Sequence, residues 1–363
     1  MISVFSFFSG IGFLDLGFEK SKFNVVYCNE IFAPFADAYK YSREKMKISL
    51  PKYGIDVLGI DELFSSTNSK RLKSFISQES AQNLTCFIGG PPCPDFSVGG
   101  KNKGEHGENG RLSRSYIDLI IKHKPDIFLF ENVKGLWRTK KHREFYEELK
   151  KDLLSSGYSL TEKLINSIQY GAPQDRDRII LIGFKIKTFD TLKQKNLSEF
   201  FDWSHGVKYP ERSAFLKFAS ISKEVKKLPH YELTTDFWFS KNEVKSHPNQ
   251  MHCFVPRAGL AKFLVIQEGD DSRKSYKRLH RFRYSPTAAY GNNEVHIHPI
   301  EPRRISAAEA LAIQSLPSNF ELPSTMSLTN MFKSIGNGVP FVAAKAIAQT
   351  ILKAVDSLDS TKK

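Results

Sequence analysis

Cys93 stands in Gly89-Gly-Pro-Pro-Cys-Pro-Asp-Phe-Ser97, directly after the apolar run Leu84–Ile88. Two glycines and three prolines make a stiff turn that needs no small core filler, so the thiol reads as a nucleophile rather than as packing. A thiolate is soft and far more nucleophilic than a hydroxyl. Glu131 closes a second apolar run, Asp126-Ile-Phe-Leu-Phe130, and is followed by Asn132 and Val133. Neighbouring strand ends would bring its carboxyl close to the thiol, where it can share a proton with a reacting group. Gln174-Asp-Arg176-Asp-Arg178 adds two guanidiniums, one in a turn and one opening the run Arg178–Phe184. A thiol, a proton-sharing carboxyl and a cation suit the covalent activation of an electron-poor ring.

A second group of residues lies nearer the N-terminus. Phe8-Ser-Gly10-Ile11-Gly12 leaves a strand-like run and enters a helical one, where glycines let backbone approach a ligand. The pyrophosphate fingerprint is incomplete, because Leu14 and Asp15 occupy the place of its third glycine, which argues against a nicotinamide dinucleotide and a dehydrogenase. Glu30 ends the next run, about 20 residues on, where an acid can hold ribose hydroxyls. Asp56 is a candidate for an adenine amine. A ribose and an adenine site without a pyrophosphate loop fit S-adenosylmethionine.

These residues need a frame that brings strand ends together. Strands are predicted at Val4–Phe8, Val25–Asn29, Leu84–Ile88, Ile127–Phe130 and Arg178–Phe184, with helices at Ser113–Lys124 and His142–Ser156, the latter followed by Gly157 as a C-cap. Such alternation predicts an α/β fold with a doubly wound, mostly parallel sheet, whose ligands sit at the carboxyl ends of the strands. Ser306-Ala-Ala-Glu309 reads as a capping box, and Pro340 suits the first turn of a closing helix, Phe341–Val355.

The chain has 363 residues, enough for two domains, and a net charge of +14 that calls for a polyanionic partner. Residues 185–286 break the alternation and hold 20 Lys and Arg against 11 Asp and Glu, which is +9 of the +14. Four cysteines with no C-x-x-C pair argue against a zinc ribbon or a disulfide framework and for a reducing cytoplasm. The apolar start carries Asp15 and Glu19 and lacks a basic flank, so it reads as strand and helix rather than a signal sequence. No uninterrupted apolar run is expected to span a bilayer, which leaves nucleic acid as the partner.

In order along the chain, Phe8–Gly12, Pro92-Cys93, Glu131-Asn132-Val133, Gln174–Arg178, Arg304-Ile-Ser-Ala-Ala-Glu309 and Gly336-Asn337-Gly338-Val339 resemble the six motifs of the DNA cytosine-5 methyltransferase family. The resemblance covers nearly everything outside Lys185–Thr287. It implies that Cys93 adds to C6 of a flipped cytosine, Glu131 serves N3, Arg178 lies near O2 and Arg176 supports the pocket. It also implies that S-adenosylmethionine is held by Phe8, Gly10, Ile11, Gly12, Glu30, Ile31, Asp56, Val57, Pro92, Leu112, Asn337 and Val339, with no metal. Two positions depart from the family pattern: Pro94 replaces the usual Gln after the cysteine, and Phe13 replaces a glycine.

The irregular segment falls where the family carries target recognition. This divides the chain into residues 1–185, a recognition domain at 186–287, and a return segment at 288–363 that completes the catalytic domain. Arg273, Lys274, Lys277, Arg278, Arg281 and Arg283 alternate with aromatics and are expected to contact double-stranded DNA, together with Ser97. A monomer is expected, sharing its target site with a cognate restriction endonuclease without a stable complex. A tRNA cytosine-5 methyltransferase of the same fold is the alternative reading.

Overall fold

The computed structural model describes residues 1–92, 108–209, 230–256, 260–273, 275–288, 290 and 295–360. Cys93, Ser97 and Lys274, singled out above, lie outside the described residues. Seven strands form one sheet: β1 (Ile2–Phe7), β2 (Asn24–Asn29), β3 (Ile55–Asp56), β4 (Leu84–Gly89), β5 (Ile127–Val133), β6 (Tyr158–Asn166) and β7 (Asp177–Lys185). Their order is β3-β2-β1-β4-β5-β7-β6, parallel except that β7 runs antiparallel to both neighbours. The doubly wound, mostly parallel sheet expected from the sequence is thus the fold. The short β3 and the nine-residue β6 were not among the predicted strands.

Alternation along the strands divides two cores. In β1, Ile2 and Val4 face one side of the sheet while Phe5 and Phe7 face the other; in β5, Ile127 and Leu129 oppose Phe128 and Phe130. One face is covered by α3 (Ser66–Ser80), α4 (Glu108–His123), α5 (Lys134–Arg138) and α6 (Lys140–Ser155), which supply Leu72, Tyr116, Ile120, Leu136, Tyr146 and Leu149. Gly157, after α6, takes the left-handed conformation expected of its cap position (φ 93°). The other face is covered by α1 (Phe13–Glu19), α2 (Ala33–Lys45) and α11 (Phe341–Ser360), with Gly17 so close to Ala344 that a Cβ would stand 2.6 Å from it. The predicted capping box opens α9 (Ala307–Ile313), where Ser306 Oγ accepts from the Glu309 amide and the Glu309 carboxylate accepts from the Ser306 amide.

Residues 328–359, which hold α10 (Leu328–Asn337) and α11, are apolar enough to cross a bilayer by length and composition, contrary to the sequence expectation. Gly338 and Pro340 divide that stretch, and 61% of its most apolar window is buried in the fold. The chain also continues to pack on the catalytic core well past residue 185. Phe189, Leu192, Leu197 and Phe201 join the same cluster as α11, and Trp203 Nε1 donates to Thr161 Oγ1 of β6 (2.9 Å). Beyond residue 230 the segment is mostly irregular, with the short helices α7 (Thr235–Lys241) and α8 (Leu260–Val265). Its apolar residues Trp238 and Val244 pack on Ala308 and Ala312 of α9.

Candidate active site

The antiparallel pairing of β5 with β7 brings the carboxyl and the cation together. Glu131 lies opposite Ile180, and Arg178 lies two residues earlier in β7 on the same face, a diagonal pair that long side chains can close. Arg178 Nε meets Glu131 Oε1 at 2.7 Å, and both side chains are nearly buried. Arg178 Nη1 donates to the Asp177 carbonyl (2.7 Å), which steadies the guanidinium. On the other side of the carboxylate stands Gly90, just past β4, where a Cβ would come within 2.6 Å of Glu131 Oε2. The glycine therefore leaves room for an acid at the mouth of the loop that continues into Cys93. Asn132 Nδ2 reaches the Pro91 carbonyl (3.4 Å), tying β5 to that loop.

Arg176 takes a different place from Arg178. It is fully buried, and its guanidinium donates to Gln174 Oε1 (3.3 Å), the Ala288 carbonyl (3.1 Å) and the Gly336 carbonyl (2.8 Å). Burial and the nearby Arg178 push its pKa down. It binds the frame of the site. The turn it belongs to is held from below by Asn166, whose Nδ2 donates to Asp175 Oδ1 and Asp177 Oδ1 at 2.8 Å each, and by Lys134 Nζ on Asp177 Oδ2 (2.6 Å). Neither Asn166 nor Lys134 was singled out from the sequence, and nothing local marks them, since their partners lie 9 to 43 residues away.

At the end of β1 the backbone turns sharply. Phe8 (φ 55°), Gly10 (φ 55°) and Gly12 (φ 81°) are all left-handed. For a phenylalanine this conformation costs on the order of 1–3 kcal/mol, the kind of strain that clusters at functional sites. The Phe8 ring packs edge-on against Tyr116 (6.1 Å). A Cβ at Gly10 would meet nothing within 4 Å, so this position opens outward, whereas one at Gly12 would strike Tyr39 at 2.5 Å and Arg43 at 2.6 Å. Glu30 is buried and accepts from the Gly10 amide (2.8 Å) and the Phe32 amide (2.9 Å). Burial holds its carboxyl above the usual range, against the pull of those two amides. Next to it Ile31 and Val57 are 68% and 46% exposed, apolar surface beside a buried acid. Asp56 accepts from Tyr27 Oη (2.8 Å) and pairs with Arg71. Ile11 is buried, Leu112 is half-buried on the rim of the aromatic core, Pro92 and Asn337 are exposed, and Val339 is buried. Phe13, at the departure from the family pattern, is buried against Phe320 (5.3 Å) and Gly338, where a Cβ would stand 2.1 Å from its ring.

The expected DNA-facing cations divide. Arg273 is exposed, and Lys277 and Arg283 are half-buried. Arg281 forms a two-pronged pair with Glu268, Nε and Nη2 each at 3.0 Å. Arg278 does not match the expectation. It is buried and donates to the carbonyls of Ile266 (2.7 Å), His298 (2.8 Å), Glu301 (3.1 Å) and Phe263, so it caps the end of α8.

Comparison with known proteins gives one family. The model of C-5 cytosine-specific DNA methylases matches residues 2–353. The chain is 58% identical to Type II methyltransferase M.NmeDI of Neisseria meningitidis serogroup C, over 96% of this chain and 83% of that protein. It is 26% identical to Type II methyltransferase M.FnuDI of Fusobacterium nucleatum, over 100% and 97%. Among solved structures, the fold is similar to that of the Dnmt2 methyltransferase of S. pombe (TM-score 0.62, 14% identity, 99% and 100% covered) and to methyltransferase EhMeth of Entamoeba histolytica (TM-score 0.58, 18% identity, 99% of each). A match over almost the whole length, with a relative at this identity, establishes that the chain belongs to the C-5 cytosine-specific DNA methyltransferases.

Proposed function

We propose that this enzyme methylates carbon 5 of one cytosine within a specific duplex sequence, as the protecting partner of a restriction endonuclease in the bacterial cytoplasm, and acts as a monomer. The observation that carries the chemistry is the Glu131–Arg178 pair at the carboxyl end of the sheet, beside the loop that leads to Cys93. Cytosine C5 is too weak a nucleophile to take a methyl group unaided. Addition of the Cys93 thiolate to C6 breaks the C5–C6 π bond and makes an enamine, while Glu131 shares a proton at N3 and Arg178 faces the O2 side. Once C5 carries the methyl group its proton passes to solvent, and the C5–H electron pair re-forms the C5–C6 double bond and expels Cys93 from C6 as the thiolate. C6 is shielded inside the base stack, so the base must leave the duplex first.

Family membership implies S-adenosylmethionine as donor, and the open cradle at Gly10 beside the buried Glu30 fits it. When bound, that cofactor supplies an electrophilic methyl group. Glu30 would hold its ribose, the exposed Ile31 and Val57 would cover its adenine, Asp56 would accept from the adenine amine, and Phe8, Gly10, Ile11, Gly12, Pro92, Leu112, Asn337 and Val339 would complete the site. Target recognition falls to the basic segment 186–287, where Arg273, Lys277 and Arg283 are accessible cations among the described residues and Arg278 is part of the frame. The family match is to DNA methylases, which favours duplex DNA over the tRNA alternative.

The test is a duplex carrying 5-fluorocytosine at the target. Fluorine cannot leave as a proton does, so the wild type should be trapped as a covalent adduct, and Cys93→Ser should bind the duplex without trapping or turnover. Normal turnover by the serine variant would remove Cys93 from the nucleophile's role.

A further inference from the structure

Gln314 is wholly buried at the C-terminal end of α9 and lies outside every motif considered above. Its side-chain amide donates to the Ile335 carbonyl (2.5 Å) and approaches the Gly338 carbonyl (3.4 Å), which belong to the last turn of α10 and the residue after it. Its own backbone carbonyl accepts from Phe341 at the start of α11 (3.0 Å), and the neighbouring Ser315 Oγ accepts from Val342 (3.2 Å). The short link that carries Asn337 and Val339 is thus gripped at both ends by one residue and its neighbour. These are the groups left unpaired where one helix stops and the next begins. Gln314 Oε1 also accepts from Gln174 Nε2 (3.1 Å), and Gln174 Oε1 accepts from Arg176 (3.3 Å) and from the Ala288 amide (3.0 Å). Arg176 closes the circuit by donating to the Gly336 carbonyl (2.8 Å).

We infer that Gln314 is a positioning residue that sets the cofactor-side link Asn337–Val339 and the base-side turn Gln174–Arg178 in one register. This rests on the reading of Asn337 and Val339 as cofactor contacts. A side-chain amide suits the place because it donates toward α10 and accepts from Gln174 at the same time. A carboxylate there keeps the second link but turns an acceptor toward the Ile335 and Gly338 carbonyls. A thioether of similar length loses both. In an enclosed polar network of this kind each member's geometry depends on the rest.

The experiment measures S-adenosylhomocysteine binding by calorimetry, single-turnover methyl transfer, cofactor-free DNA binding and thermal unfolding for Gln314→Glu, Gln314→Met and Ser315→Ala. Both Gln314 variants should bind S-adenosylhomocysteine roughly tenfold more weakly per folded molecule, as expected for a lost buried hydrogen bond, while DNA binding without cofactor is retained. Ser315→Ala, which removes one hydroxyl and leaves the core filled, should weaken it by about threefold. A role confined to stability would lower the unfolding temperature and leave the affinity of the folded fraction unchanged. Wild-type affinity and single-turnover rate in a folded Gln314 variant, or in Ser315→Ala if neither Gln314 variant folds, overturns the inference. Asn337→Ala and Glu30→Ala are measured in parallel. If they too leave affinity unchanged, the cofactor reading has failed; if they weaken it and the others do not, only the role of Gln314 has.

Discussion

Gly90→Ala probes the placement of Glu131 without touching its chemistry. Gly90 is not among the residues at positive φ, so alanine meets no left-handed backbone strain there. The added methyl would stand 2.6 Å from Glu131 Oε2, so the carboxylate must retreat by about 0.8 Å to regain an ordinary contact of 3.4 Å. It cannot do so freely, because Arg178 Nε holds the other oxygen at 2.7 Å and β5 is bonded on both edges. A misplacement of about 1 Å can cost ~10²-fold in rate, which is about 2.7 kcal/mol of barrier. The expectation is therefore a drop of about that size in single-turnover methyl transfer, measured with radiolabelled S-adenosylmethionine on excess enzyme. S-adenosylhomocysteine affinity should be nearly unchanged and the unfolding temperature should fall only slightly. A wild-type single-turnover rate in Gly90→Ala would show that the carboxylate's position does not govern the chemical step.

Glu131→Gln keeps the shape and removes the shared proton, so its single-turnover rate should fall by about 10²–10⁴-fold with cofactor affinity retained; a loss of stability with an unchanged rate per folded molecule would make Glu131 structural. If Glu30 binds ribose as the ionised acid, then, because burial raises its pKa, S-adenosylhomocysteine affinity should decline as pH falls, starting above the usual carboxylate range. Glu30→Gln should flatten that profile, and an identical profile in both proteins would refute the assignment. Arg278→Ala strands several buried carbonyls and should cost at least about 3 kcal/mol in urea unfolding, whereas Arg273→Ala should leave stability unchanged. If Arg273 meets a phosphate, its loss should also lower the magnitude of the salt slope of DNA binding by about 0.9.

Residue type, local periodicity and the order of six short motifs are enough to point to the family. A cysteine in a proline-rich turn after an apolar run, an acid at the end of the next run, and arginines opening another are features of single segments, and each survives without knowledge of the rest of the chain. The same holds for the α/β alternation, for the Ser306–Glu309 capping box and for Gly157, whose partners lie within a few residues. Partner choice over long separations was not legible. Arg176 and Arg178 are two residues apart and alike in sequence, yet Arg178, inside β7, enters the ion pair with Glu131, while Arg176, in the turn before that strand, enters a buried frame with Gly336, 160 residues away. Arg278 sits in a basic, aromatic run that reads as a nucleic-acid contact, and only the meeting of α8 with residues 298–301 makes it a cap. The packing of Phe189, Leu192, Leu197 and Phe201 in one cluster with α11 likewise extends past the point where the strand pattern stops. Local chemistry is carried by a residue and its near neighbours, whereas burial, pairing and desolvation are created only when distant segments close on one another, and in this protein those decide which charged groups act and which ones hold the site in place.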